Sequence, residues 1–107
     1  MMMHRNDIAY LIHEEKTQDN AGVWHKEEKK RKIFCTIKSV NQREWFEGGR
    51  MGLNPELVIR MFCWDYNDEE IVETSNGKRY TVYRTFLTDN EQIELYLQFK
   101  KGNANGS

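Results

Sequence analysis

One stretch limits what this chain can fold into more than any other: Val40 to Pro55, lying between two runs that alternate like strands. Asn41 suits a helix N-cap, because its side chain can accept a bond from a free helical N–H. Glu44 follows three residues on, and Val40 and Trp45 flank the cap on either side, giving a capping box with a hydrophobic staple. A short helix is therefore predicted to begin at Gln42. Gly48 and Gly49 supply positive-φ positions that can end it, and Pro55 forbids a quick restart. Trp45 and Phe46 stand about 100° apart on such a helix, so its apolar area must dock on the protein's own sheet or on a partner. The staple makes Trp45 the expected anchor and turns Phe46, with Arg50 and Leu53, outward.

The flanking runs are extended. Ile33, Cys35 and Ile37 alternate with Thr36 and Lys38, and Leu57, Ile59, Met61 and Cys63 share a face downstream. Val58, Phe62 and Trp64 make the second face of that downstream run apolar too, which predicts a central strand covered by the sheet on one side and the helix on the other. Ile8, Tyr10 and Ile12 are expected on one face of an opening strand. From His13 to Lys32 the alternation is lost, so a polar loop is expected, with turn chemistry at Thr17–Gly22 and an isolated Val23-Trp24 pair. Asn76-Gly77 favours a two-residue type I′ hairpin turn that would place Glu73 opposite Tyr80 and Ile71 opposite Val82. Tyr80, Val82 and Phe86 would then share a face with Arg84, whose charge needs a carboxylate such as Glu73. Ile93, Leu95, Leu97 and Phe99 close the pattern. The sum is mainly β: a small antiparallel β-barrel or curled sheet of five to six strands with one short inserted helix. One domain spans 1–107, with an ordered barrel over about 7–101 and a flexible tail over 102–107.

The charge balance narrows the chemistry. A net charge of −1 supplies no basic field for nucleic acid. No apolar run approaches the length of a membrane span, and Met1-Met2-Met3 opens no signal-like segment, so a soluble protein of a reducing cytoplasm is expected. Cys35 and Cys63 lack CxxC spacing and read as free thiols; His4, His13 and His25 read as surface side chains. The acidic turn Asp65–Glu70 lacks the glycine and closing carboxylate of a calcium loop, and Gly48-Gly49 with Gly52 opens no phosphate-binding helix. No nucleophile–base pair stands out; neither an enzyme nor a cofactor is expected.

Arg43 to Glu56, in which an acidic-aromatic helix leads into Gly52-Leu53-Asn54-Pro55-Glu56, resembles the central signature of the head closure (head–tail joining) proteins of tailed bacteriophages. Gly77-Lys78-Arg79-Tyr80-Thr81-Val82-Tyr83-Arg84 is similar to that family's G-K-x-Y-x-I-x-R strand, and Glu94-Leu95-Tyr96-Leu97 to its terminal E-L-x-x strand. The resemblance spans about Asp7 to Lys101. Gly48 stands where the family often has Ala, a departure expected to shorten the helix. The resemblance implies a small barrel that forms a homo-oligomeric ring in the virion connector, between portal with adaptor and tail, helping to retain packaged DNA and contacting it in the channel. The expected interface draws on Glu44, Phe46, Arg50, Met51 and Leu53 of the central segment, on the basic run Lys29, Lys30, Arg31 and Lys32, and on Asp65, Asp68 and Glu69. Basic and acidic segments could pair between subunits. The competing class is a nucleic-acid- or peptide-binding barrel of OB or SH3 type, with Trp45, Tyr80 or Tyr83 as its platform.

Overall fold

The computed structural model describes residues 7–89 and 91–99; the expected tail and the barrel's expected end at Lys100-Lys101 lie outside them. Six antiparallel strands close into a barrel in the order β1 (Asp7–Gln18), β2 (Trp24–Ser39), β3 (Pro55–Phe62), β6 (Gln92–Phe99), β5 (Arg79–Leu87), β4 (Ile71–Thr74), with β4 returning to β1. One α-helix, α1 (Gln42–Arg50), joins β2 to β3, and a short 3₁₀ turn, Cys63–Asp65, follows β3. Alternation selects the core: Ile33, Cys35, Ile59, Met61, Leu95 and Leu97 point inward, joined by Ala9, Leu11, Val72 and Tyr80. Ile37, Leu57, Ile93 and Phe99 pack against them. Burial pushes the Cys35 thiol, with Asp7 nearby, up to about 12, so this is an inert core thiol. Cys63 is likewise unbridged.

Four local expectations are corrected. In β1 the inward face is Ala9 and Leu11, not Ile8, Tyr10 and Ile12; Ala9 lies opposite Ile33, and Ile12 is buried on the other face opposite Ile71. The expected polar loop is a strand: β1 and β2 remain paired through Gln18 and Trp24 around a turn at Asp19, whose carboxylate accepts bonds from the N–H groups of Ala21 and Val23. Charged residues occupy both faces there, so no apolar period betrayed the ladder. The Asn76-Gly77 hairpin carries three loop residues rather than two, since Thr74 pairs with Lys78 and Glu73 lies opposite Arg79. Gly77, at φ +87°, takes the left-handed position that ends such a loop. Finally, a β-bulge at Tyr83 shifts β5 against β6, from Val82 opposite Leu97 to Arg84 opposite Tyr96. Past it Phe86 turns outward and is 53% exposed.

Candidate interaction surfaces

The α1 surface is set by its two ends. The Asn41 side chain accepts from the Glu44 N–H at 2.7 Å, so the helix begins at Gln42 as expected. Its far end lies beyond the expected one: Gly48 and Gly49 stay helical, and Gly52, at φ +84°, makes the left-handed exit. The Leu53 N–H bonds the Gly48 carbonyl at 2.8 Å and the Gly52 N–H bonds that of Gly49 at 3.1 Å, the two bonds of a Schellman cap. Gly48 is buried because the helix meets β3 there; a Cβ on it would lie 2.2 Å from the Pro55 ring. Glycine at this position lets the helix lie close against the barrel, and the helix runs on past it rather than ending there.

Glu44 does not reach back to the cap. One carboxylate oxygen accepts from the Tyr83 hydroxyl at 2.6 Å, the other from Arg84 at 2.6 Å, and the Arg84 guanidinium lies 3.9 Å from the Tyr96 ring centroid. The bulge therefore aims consecutive side chains at one carboxylate. Burial, and then the bond to Glu44, hold the Tyr83 hydroxyl well above the usual tyrosine range. With Gly48 and Glu44 holding the helix, Trp45 is free of the anchoring role expected of it. Trp45 and Phe46 are 56% and 55% exposed and meet edge to face at 5.4 Å. Met51, past the end of the helix, is exposed, Leu53 is half-buried, and Arg50 lies 3.7 Å from Glu47 on the helix surface.

A second surface stands at the other end of the barrel. Because α1 links the end of β2 to the start of β3, the opposite end of β2, with Trp24, points away from it. Beyond Ile12, the last residue paired with β4, β1 and β2 run on as a two-stranded arm. Such a ribbon is marginal alone in water, and ion pairs brace its base. Arg79 forks onto Glu28 at 2.7 and 2.8 Å, and Glu73 receives Arg79 at 3.0 Å and Lys30 at 3.2 Å. At the tip Val23 and Trp24 are exposed, and Lys16, Trp24, His25 and Lys26 line an open hollow of about 420 Å³. At the rim below, Trp64 stacks on Phe62 at 4.7 Å while staying 61% exposed, and Phe86 and Leu87 are exposed at the end of β5. Sequence reading put Phe86 on the core face and Trp64 on a covered strand face, because an outward aromatic next to a strand end looks like any core residue.

The basic run and the acidic turn meet within the chain. Lys29 pairs with Glu15 at 3.2 Å, Lys32 lies 5.3 Å from the Phe34 ring, and Arg31 binds Glu69 at 2.7 Å. Glu69 is 6% exposed, so this residue is removed from the candidate surface. It lies under the arm's base, where it also accepts the Asn67 N–H. Burial pushes its carboxyl up, but the Arg31 and Asn67 bonds outweigh this and hold it below the ordinary value. Asp68, at φ +63°, stays exposed, and Asp65 is half-buried in the 3₁₀ turn. Tyr80 is 4% exposed and Tyr83 is committed to Glu44, so of the aromatic platform in the competing reading only Trp45 is accessible. Among the described residues no cluster of three or more His, Cys, Asp or Glu could hold a metal, and no helix is long and apolar enough to cross a membrane. No protein-family model and no curated protein matches the chain.

Proposed function

We propose that this chain is a structural component of the head–tail connector of a tailed phage or prophage. In this reading it is made in the host bacterial cytoplasm and enters the virion as a homo-oligomeric ring between the portal with its adaptor and the tail. There it helps retain the packaged DNA, which it contacts in the channel. One observation carries the reading beyond the sequence resemblance: a closed barrel bears large exposed apolar side chains, most of them aromatic, at both ends, Trp45, Phe46 and Met51 at one and Trp24, Trp64, Phe86 and Leu87 at the other. A joining protein needs two such surfaces, and aromatic residues are the side chains most often found as binding hot spots. Phe46, Arg50, Met51 and Leu53 serve one partner, with Glu44 holding their helix in place. The test is electron microscopy of lysates from the encoding phage or prophage with this gene deleted. Separate tails beside DNA-depleted heads are expected; intact tailed particles would contradict the assignment.

A further inference from the structure

The β1–β2 arm carries an unfavourable ladder. In its own register Glu14 faces Glu28, Glu15 faces Glu27 and Lys16 faces Lys26, and like charges directly opposite each other weaken an antiparallel pair. Diagonal contacts relieve part of this, with Lys26 3.0 Å from Glu14 and Lys29 3.2 Å from Glu15. The arm also has two bare edges: among the described residues no strand other than β2 pairs with β1 beyond Ile12, and none other than β1 pairs with β2 before Thr36. An unpaired edge of this length is a template for another strand.

The ladder's hydrogen bonds fix how those edges can be used. Asp19 donates its N–H to the Val23 carbonyl at 2.9 Å, and Val40 donates to the Glu56 carbonyl at 3.1 Å. Backbone groups alternate in direction along an antiparallel strand, so in the arm the even-numbered residues turn theirs away from the partner within the ribbon. Glu14 and Lys16 present them on one edge, and Glu28 and Lys30 on the other.

We propose that these edges pair between copies of this chain. The β1 edge of one arm lies antiparallel to the β2 edge of the next, with Glu14 opposite Lys30, Glu15 opposite Lys29 and Lys16 opposite Glu28. The phase allows even residues to face only even residues, so registers differ by steps of two. Repeating the arm's own register would again set Glu14 on Glu28 and Lys16 on Lys26. A step one way leaves Lys16 against Trp24, and two steps the other way set Lys16 on Lys30. Among these, the proposed register alone gives all three charges an opposite partner. It also gives Glu14, Glu15, Lys16 and Glu28, four of the six residues that the arm sets like against like, a neighbour of opposite sign. Each β1 is then antiparallel both to its own β2 and to its neighbour's, so all arms point the same way. The contact is heterologous, and successive copies close into a ring or extend as a filament. This pairing stands on the arm's geometry and does not depend on the connector reading, nor would its failure remove that reading.

The test uses full chains carrying single new cysteines at solvent-accessible arm positions. Glu15→Cys and Lys29→Cys chains are mixed in low salt and oxidised, and the mixed disulfide is identified by mass spectrometry. These two positions form a non-hydrogen-bonded pair, with Cβ atoms about 4.5–5.5 Å apart, suited to a disulfide. Glu15→Cys mixed with Glu27→Cys probes the repeated register, and the unaltered chain sets the background from Cys35 and Cys63. The expected result is at least several-fold more mixed disulfide in the first mixture, falling towards background when both chains also carry Glu14→Lys and Lys16→Glu. Equal yields in the two mixtures, no disulfide above background, or no fall with the charge reversals would overturn the proposal.

Discussion

At Gly48 a residue of poor helix propensity stands inside a helix because the Pro55 ring leaves no room for a side chain. Gly48→Ala is therefore expected to lower stability by about 1–3 kcal/mol through overpacking, although in an open helix the same change would gain about 1 kcal/mol. Combined with Pro55→Ala the penalty should shrink markedly; an equal loss in both backgrounds, measured by urea denaturation, would place the cause elsewhere. Gly77 is constrained by its backbone alone, since nothing lies within 4 Å of the Cβ position at φ +87°. Gly77→Val should cost about 1 kcal/mol or more, because a β-branched residue is strained at positive φ, and an unchanged Tm would contradict the turn. Sequence marked Gly77 correctly while misplacing the register by one residue, because Asn76-Gly77 serves both two- and three-residue loops. It assigned the end of α1 to Gly48 and Gly49 for a similar reason: several nearby glycines could exit the helix, and only the closeness of Pro55 selects Gly52.

The two elements that leave the barrel's regular pattern are α1 and the arm, and they differ in how far residues betray them. Asn41 and Glu44 announced the start of α1, and the helix begins where they place it. Its docking could not be read, because it rests on a bulge that pairs Tyr83 and Arg84 with a residue some 40 positions away. With Glu44 and Gly48 holding the helix, Trp45→Ala is expected to change stability by no more than about 0.5 kcal/mol, as surface changes do, reversing the expectation from the staple. Phe46→Ala with Arg50→Ala should also leave circular dichroism and Tm nearly unchanged, while loss of about 2 kcal/mol or more in partner binding would cut plaque yield in complementation. A normal yield from that double variant would remove the helix from the interface. The arm was illegible because its cohesion comes from ladder bonds and ion pairs, such as Arg79 with Glu28, that leave no apolar period.

Over the whole molecule, ion pairs bind the arm and strands to one another, and this makes stability depend on pH. Glu28, held down first by its bond to Arg79, and Glu69 and Glu94, where Arg31 and Arg60 outweigh the opposing effect of burial, all lie below the ordinary glutamate value of 4.5. A depressed folded-state value means that the unfolded chain takes up protons first. Their contribution is thus complete above about pH 4.5 and fades as pH falls through the folded values. Denaturation midpoints should be flat from pH 7 to 5 and drop below that; a midpoint that rises on acidification would contradict these pairings. The barrel class itself was legible, because period-two alternation in β2, β3 and β6 survives intact in the core. A joining role can be checked by reconstitution. Heads from a lysate of the gene-deleted phage are mixed with purified chain, sedimented and treated with nuclease. The connector reading predicts that the chain sediments with the heads and raises the fraction of genome left undigested. Heads that bind none of it, and lose their DNA at the same rate with or without it, would rule out that role.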